Sequence, residues 1–261
     1  MSHSPDKTAE GAECRTGLTR RSAWLGASWR VRLLPLVLSA LLCVVSAEAA
    51  SRAFWRFAYG VPLRDPGRIL NVYYPGLRAV DWQRPSHGDE FYDILLLGGS
   101  TLHQNWGEVE QSLHEQLAYG GHRNVRIFNL AQTSHTSRDS LLKYIAVGEA
   151  RFELIIVYDG INDARVNNVP PELFREDYGH YSWYEAVNAL APYHGTAHFA
   201  LPYTLRFLAA GLRQAVAKGR YVPREAPRED WVQYGRDPRS AVAFEHNLSA
   251  ILAWPRVAAT G

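Results

Sequence analysis

The chain has 261 residues, 47% of them hydrophobic and 21% charged, with a net charge of +2 at neutral pH. These totals fit one globular domain with an appendage and give no reason to expect a polyanionic partner. Lys7, Arg15, Arg20, Arg21, Arg30 and Arg32 all precede the first long apolar run and no Lys/Arg-rich block follows it, so nucleic-acid binding is not expected. Cys14 lies in the polar tail and Cys43 in the apolar run; no disulfide is expected between them, and no Cys/His cluster has zinc spacing, so no metal is expected.

Residues 33–47, "LLPLVLSALLCVVSA", carry no charge. A bilayer span needs about 20 residues, and the flanking Trp29, Val31 and "AEAASRAFW" extend the run. The basic residues before it predict a cytoplasmic tail over 1–30 and a transmembrane signal anchor over 31–50. Everything beyond about residue 50 is then extracytoplasmic (periplasmic), on a single-pass protein of the cytoplasmic membrane. Ala47-Glu48-Ala49 also fits a small-x-small cleavage pattern, so a cleaved signal peptide is the alternative. Residues 51–90 contain Pro62, Pro66, Pro75 and Pro85 and are read as a linker that becomes an irregular lead-in.

The domain itself is expected over 91–261. "YDILLL" (92–97), "VRIFNL" (125–130) and "LIIVY" (154–158) are apolar runs of strand length. Between them, 106–118 places Trp106, Val109, Leu113 and Leu117 at helical spacing, and 136–150 opens on a Thr-x-x-Asp capping pattern. The alternation predicts βαβαβ with a parallel sheet buried on both faces. Helices are also predicted over 203–219 and 241–257, and no strand is predicted after residue 158.

In a parallel sheet, ligands sit at the carboxyl ends of the strands. Those ends carry "GGST", "NLAQTS" and "YDGIND". Ser100, after two glycines and before a helical segment, is a candidate nucleophile. It lies neither in a Gly-x-Ser-x-Gly elbow nor in a P-loop. Asn162 offers a carboxamide that can donate to an oxyanion. Each motif also reads as an ordinary turn or capped helix start.

Strand–GGS, strand–N-L-A-x-x-x-x-T-S and strand–G-x-N-D, in this order, resemble the SGNH (GDSL) hydrolase family in its membrane-anchored extracytoplasmic branch. The likeness covers about residues 92–163. It implies an α/β, flavodoxin-like three-layer sandwich around a parallel sheet, of which this chain resembles the N-terminal two-thirds. It also implies catalysis without metal or organic cofactor: Ser100 as nucleophile, with the N–H groups of Ser100 and Ser134 and the Asn162 side chain as oxyanion hole. Gly99 stands where many members have Asp, and Ser134 at about the place of a family glycine. The family's D-x-x-H follows its last strand; the D-x-x-H of this chain, Asp177 to His180, comes much earlier and is kept as a triad candidate, with His103 and His135 as further histidines near the strand ends. The expected activity is hydrolysis of a small-molecule, lipid or glycan ester. A truncated or degenerate inactive member, or an acyltransferase acting on cell-surface glycans, are the alternatives.

Overall fold

The structure, a computed structural model, describes residues 20–86, 90–121, 124–217, 219–222 and 228–253, with side chains from Leu33 onward. The basic tail before residue 20, with Cys14, lies outside the described residues. The chain divides into two compact units, residues 1–50 and 51–261.

The first unit holds most of α1 (Arg20–Tyr59). Leu34, Leu36, Val37, Leu38, Leu41, Leu42, Val44 and Val45 are exposed and point all round the helix. A helix that is apolar on every side suits lipid rather than water. Its stretch Leu33–Tyr59, 27 residues, is long and apolar enough to cross a membrane. At 1.5 Å per residue it reaches about 40 Å, against a hydrocarbon core of about 30 Å.

The second unit begins inside the same helix. After α1 come a 3₁₀ turn (Ile69–Val72) and α2 (Leu77–Gln83). The sheet strands are β1 (Tyr92–Gly98), β2 (Val125–Asn129) and β3 (Leu154–Tyr158). Between β1 and β2 lie α3 (Gln104–Gly107) and α4 (Val109–Tyr119), and between β2 and β3 lies α5 (Ser137–Ala146). Then follow α6 (Ile161–Arg165), α7 (Ser182–Leu190), α8 (Leu201–Val216) and α9 (Ser240–Ala253).

All strand pairs are parallel, in the order β2-β1-β3. The central strand is buried from Asp93 to Gly98. Leu95 and Leu97 enter the main core, while Ile94 and Leu96, one residue out of phase, are equally buried on the other side. Burial on both faces explains why "ILLL" is continuously apolar instead of alternating. The outer edge of β3 pairs with no strand among the described residues, and Leu154 and Tyr158 at its ends are exposed. At the other end of the sheet, the Arg126 guanidinium grips buried Asp93 through Nε (2.6 Å) and Nη2 (2.5 Å). The Asp93 N–H donates to Glu153, so all three strands are tied where they begin.

Two expectations change. The single helix predicted from residue 106 is broken: Glu108 takes a left-handed conformation, φ 48°, between α3 and α4. And residues 51–90 are not a linker. Trp55, Val61, Ile69, Leu70, Tyr74, Leu77 and Val80 are buried in the same core as the sheet. The prolines break long helices, as read, but they shape a wall of the domain. Trp55 Nε1 donates to Thr204 Oγ1 at 2.8 Å, and its ring meets Tyr203 and Phe207 edge-on. Trp55→Ala is therefore expected to cost about 3–5 kcal/mol, the range for emptying a large aromatic site. A denaturation midpoint of the detergent-solubilised full chain measures it; a loss under about 0.5 kcal/mol, as for a solvated linker, would contradict this packing.

Candidate active site

Ser100 opens a 3₁₀ turn (Ser100–Leu102) directly after β1 and Gly99. A methyl group on Gly98 would stand 2.4 Å from the Tyr158 carbonyl oxygen, so only glycine lets β3 close against β1 at this level. At Gly99 a Cβ would lie 2.7 Å from Asn162 Nδ2 and 3.3 Å from the His135 carbonyl oxygen. The space that glycine leaves is filled by the Asn162 carboxamide. The "GG" and "ND" motifs, more than sixty residues apart, are thus in direct contact.

Asn162 Nδ2 donates to the His135 carbonyl at 2.7 Å. This bond joins the first turn of α6, just after β3, to the loop after β2 and uses one of the two amide N–H groups, leaving the second. Ser134, one residue before His135, has φ 63°. The left-handed region costs a non-glycine residue roughly 1 kcal/mol, so a serine holds a backbone shape that favours glycine. Ser134 and Asn162 share the lining of a cavity of about 20 Å³ with Thr136, Arg165, Val166, Tyr181 and Tyr184. Ser100 is not part of that lining. Its hydroxyl makes no hydrogen bond among the described residues.

Behind these loops lies a buried carboxylate network. Asp139 forms the predicted capping box with Thr136. Its carboxylate also accepts from Tyr74 (2.9 Å), Trp183 (3.0 Å) and Tyr184. Burial alone would raise its pKa, but the charges of His135 and Lys143 and the Tyr184 and Thr136 hydrogen bonds outweigh it and hold Asp139 below the ordinary carboxylate range. Lys143 donates to the Leu130 carbonyl at 2.7 Å, at the end of β2. The His135 ring packs edge-on to Tyr74 and at a tilt to Trp183.

Asp163, the last residue of "DGIND", accepts from the Ser137 hydroxyl and N–H and from the Tyr178 hydroxyl. Asn247 of α9 donates to the same Ser137 hydroxyl at 3.0 Å. Burial raises the Asp163 pKa, while Ser137 and Tyr178 pull it back. The carboxylate caps α5 from the first turn of α6 and so fixes the β3 end against it.

The D-x-x-H stretch has a structural origin. Asp177 pairs with Arg175 (2.9 Å) and caps the Gly179 N–H (2.9 Å). Tyr178 stands at φ 59°, its ring wholly buried and its hydroxyl on Asp163. His180 Nδ1 accepts from the Arg175 N–H at 3.1 Å, so its Nε2–H donates to the Val166 carbonyl at 3.1 Å. Both ring nitrogens are spent on backbone. Burial pushes the imidazole down to about 4, so it is neutral near pH 7. The structure brings neither Asp177 and His180 into a hydrogen-bonded pair nor either of them to Ser100; the spacing is that of a closed turn. His103 Nδ1 accepts from the Asn105 N–H at 3.3 Å and caps α3. Among the described residues, no group of three or more His, Cys, Asp and Glu side chains can hold a metal ion.

Sequence reasoning singles out Gly99, Ser100, Ser134 and Asn162 and does not reveal the network behind them. Asp139 was legible as a cap, not as the acceptor of three aromatic side chains from distant segments. Asp163 was read only as part of a turn, because its partner Ser137 lies 26 residues away. Comparison with models of known families, with curated proteins and with solved structures finds no match to this chain.

Asp159 supplies a test of the network. Both carboxylate oxygens are buried, and the neighbouring Ser140 hydroxyl does not meet them in hydrogen-bond geometry. Burial raises its pKa from 3.8 to about 6, the Ser140 hydroxyl and Lys143 opposing and Asp163 and Asp139 adding to the rise. A carboxyl whose folded pKa lies above its unfolded value destabilises the fold once ionised. The cost is absent below the unfolded pKa, grows as pH rises from about 4 to about 6, and is complete above that. Asp159→Asn is therefore expected to stabilise the chain by about 1–3 kcal/mol at about pH 8 and to change little at about pH 3.5. Denaturation midpoints at both pH values measure this; an equal effect at both would contradict it.

Proposed function

We propose that this chain carries an SGNH-type serine ester-hydrolase site, held outside the cytoplasmic membrane by α1. The observation that carries the reading is the meeting of three motifs at one end of a parallel sheet. Ser100 follows the central strand, the Asn162 carboxamide fills the space beside Gly99, and Asn162 is tied to the loop in which Ser134 holds a glycine-like backbone. Three loops from three strands are what an oxyanion site needs: a nucleophile with fixed donors around it, set by the scaffold and requiring no rearrangement during reaction.

In this reading the Ser100 hydroxyl attacks the carbonyl carbon of an ester on a small molecule, lipid or glycan. The charge that develops on the carbonyl oxygen rests on the N–H groups of Ser100 and Ser134 and on the second Asn162 Nδ2–H. The alcohol leaves, and water releases the acyl group from Ser100. A general base must take the serine proton. His180 does not do so, since both of its nitrogens are occupied. That commitment favours a second reading, a chain that keeps the fold and the donors but turns nothing over.

A fluorophosphonate probe tests the proposal, with the adduct mapped by mass spectrometry. Labelling is expected at Ser100 and is lost in Ser100→Ala. Asn162→Ala is expected to slow it about 10²–10³-fold, the usual loss for one oxyanion donor. His180→Ala lowers stability but leaves labelling per folded molecule unchanged. Labelling of Ser100 without hydrolysis of p-nitrophenyl esters supports the second reading. A folded chain with no adduct on Ser100 overturns the hydrolase reading and leaves the second.

A further inference from the structure

Among the described residues of the second unit, α8 carries a row of exposed apolar side chains. Its inner face holds Tyr203, Thr204 and Ala210 in the fold. Its outer face carries Leu205 (58% exposed), Leu208 (57%), Leu212 (67%) and Val216 (80%). These positions follow i, i+3, i+7, i+11 and form one straight stripe, about 16 Å long at 1.5 Å per residue. Stripes of leucine open to water are rare unless something apolar covers them.

We propose that α8 lies along the surface of a lipid bilayer, its leucine stripe in the boundary between headgroups and acyl chains, as a second membrane contact beside α1. This rests on the reading of α1 as a membrane anchor. Two observations favour lipid as the occupant. The first is continuity. Trp55 and Tyr59, in the last turns of the apolar stretch Leu33–Tyr59, belong to the same compact unit as α8 and pack on it. The ring of Trp55 lies 5.4 Å from Tyr203 and 5.1 Å from Phe207, and Tyr59 lies 6.2 Å from Phe207. These contacts set α8 against the residues with which the apolar stretch ends.

The second is charge. Between Leu201 and Val216 there is no acidic residue, and the charged side chains are Arg206 and Arg213. Arg206 stacks on Tyr193 at 5.4 Å. Arg213 pairs with Glu185, and exposed Arg220 follows the helix. An apolar stripe on a helix whose own charged residues are all arginine, with the acidic partner Glu185 buried beneath it, is the pattern of helices that lie in an anionic interface. A second copy of the chain fits less well: a stable interface covers about 800 Å² on each partner, and a single-helix stripe is a narrow strip.

The test uses the full chain with Cys14→Ser and Cys43→Ser, carrying one cysteine labelled with an environment-sensitive fluorophore. Leu208→Cys and Leu212→Cys report on α8, Val37→Cys on the anchor and Gln111→Cys on an exposed site of α4. Each is reconstituted into vesicles of phosphatidylcholine and phosphatidylglycerol containing nitroxide-labelled lipids. The labels at Leu208 and Leu212 are expected to shift to the blue and be quenched by a nitroxide near the headgroups. Val37 should be quenched by one deep in the acyl chains, and Gln111 by neither. No quenching at Leu208 and Leu212, with Val37 quenched, overturns the inference and leaves the anchor standing. No quenching at Val37 as well overturns the anchor reading and this inference with it. A blue shift at Leu208 and Leu212 that no lipid nitroxide quenches means protein covers the stripe, and overturns it too.

Discussion

The close approach of three strand ends around Gly98 and Gly99 is the constraint on which the site depends. A side chain at Gly98 would strike the backbone of β3, and one at Gly99 would strike the Asn162 amide. Because neither position has a Cβ, the loops after β2 and β3 come within hydrogen-bond distance of each other just beside Ser100. The Asn162–His135 bond then fixes the direction of a carboxamide that would otherwise turn freely in solvent. A side chain of any kind at Gly99 does not fit with Asn162 where it stands. The glycine and the placement of the asparagine belong together.

The loops stay in place because buried carboxylates hold them from behind. Asp139 gathers Tyr74, Trp183 and Tyr184 onto the start of α5, and Asp163 ties the end of β3 to Ser137 of the same helix. A buried charge with good donors is well satisfied; one without them is a cost. Asp139 is the first kind and Asp159 the second. The structure therefore keeps a destabilising carboxylate four residues from the end of its own motif, while the charge of Asp139 is stabilised.

Periodic features were legible in the sequence. The three strands, the capped start of α5 and the lipid-suited character of α1 follow from local pattern, since "ILLL" needs both faces covered and Thr136-x-x-Asp139 is a local cap. What was not legible depends on partners far along the chain. Residues 51–90 looked like a linker because prolines and short apolar groups have no period, yet Trp55 and Tyr74 are wholly buried by segments more than sixty residues away. Asp177-x-x-His180 shows the reverse hazard. A spacing that fits catalytic chemistry is produced here by Asp177 capping Gly179 and by His180 bonding backbone on both sides. The "GGS" and "ND" motifs did signal their juxtaposition, though only the three-dimensional contact shows why the second glycine is there.

Gly99→Ala probes that contact most directly. Gly99 sits at φ −90° in extended backbone, which alanine adopts without strain, so the added methyl acts only on Asn162 and the His135 carbonyl. The measurement is the rate of fluorophosphonate labelling at Ser100 in Gly99→Ala against the parent, each corrected for its folded fraction. If the glycine's role is to seat the Asn162 donor, the rate falls at least about tenfold, part of the loss expected for removing the donor outright. An unchanged rate in a folded Gly99→Ala chain would contradict the account.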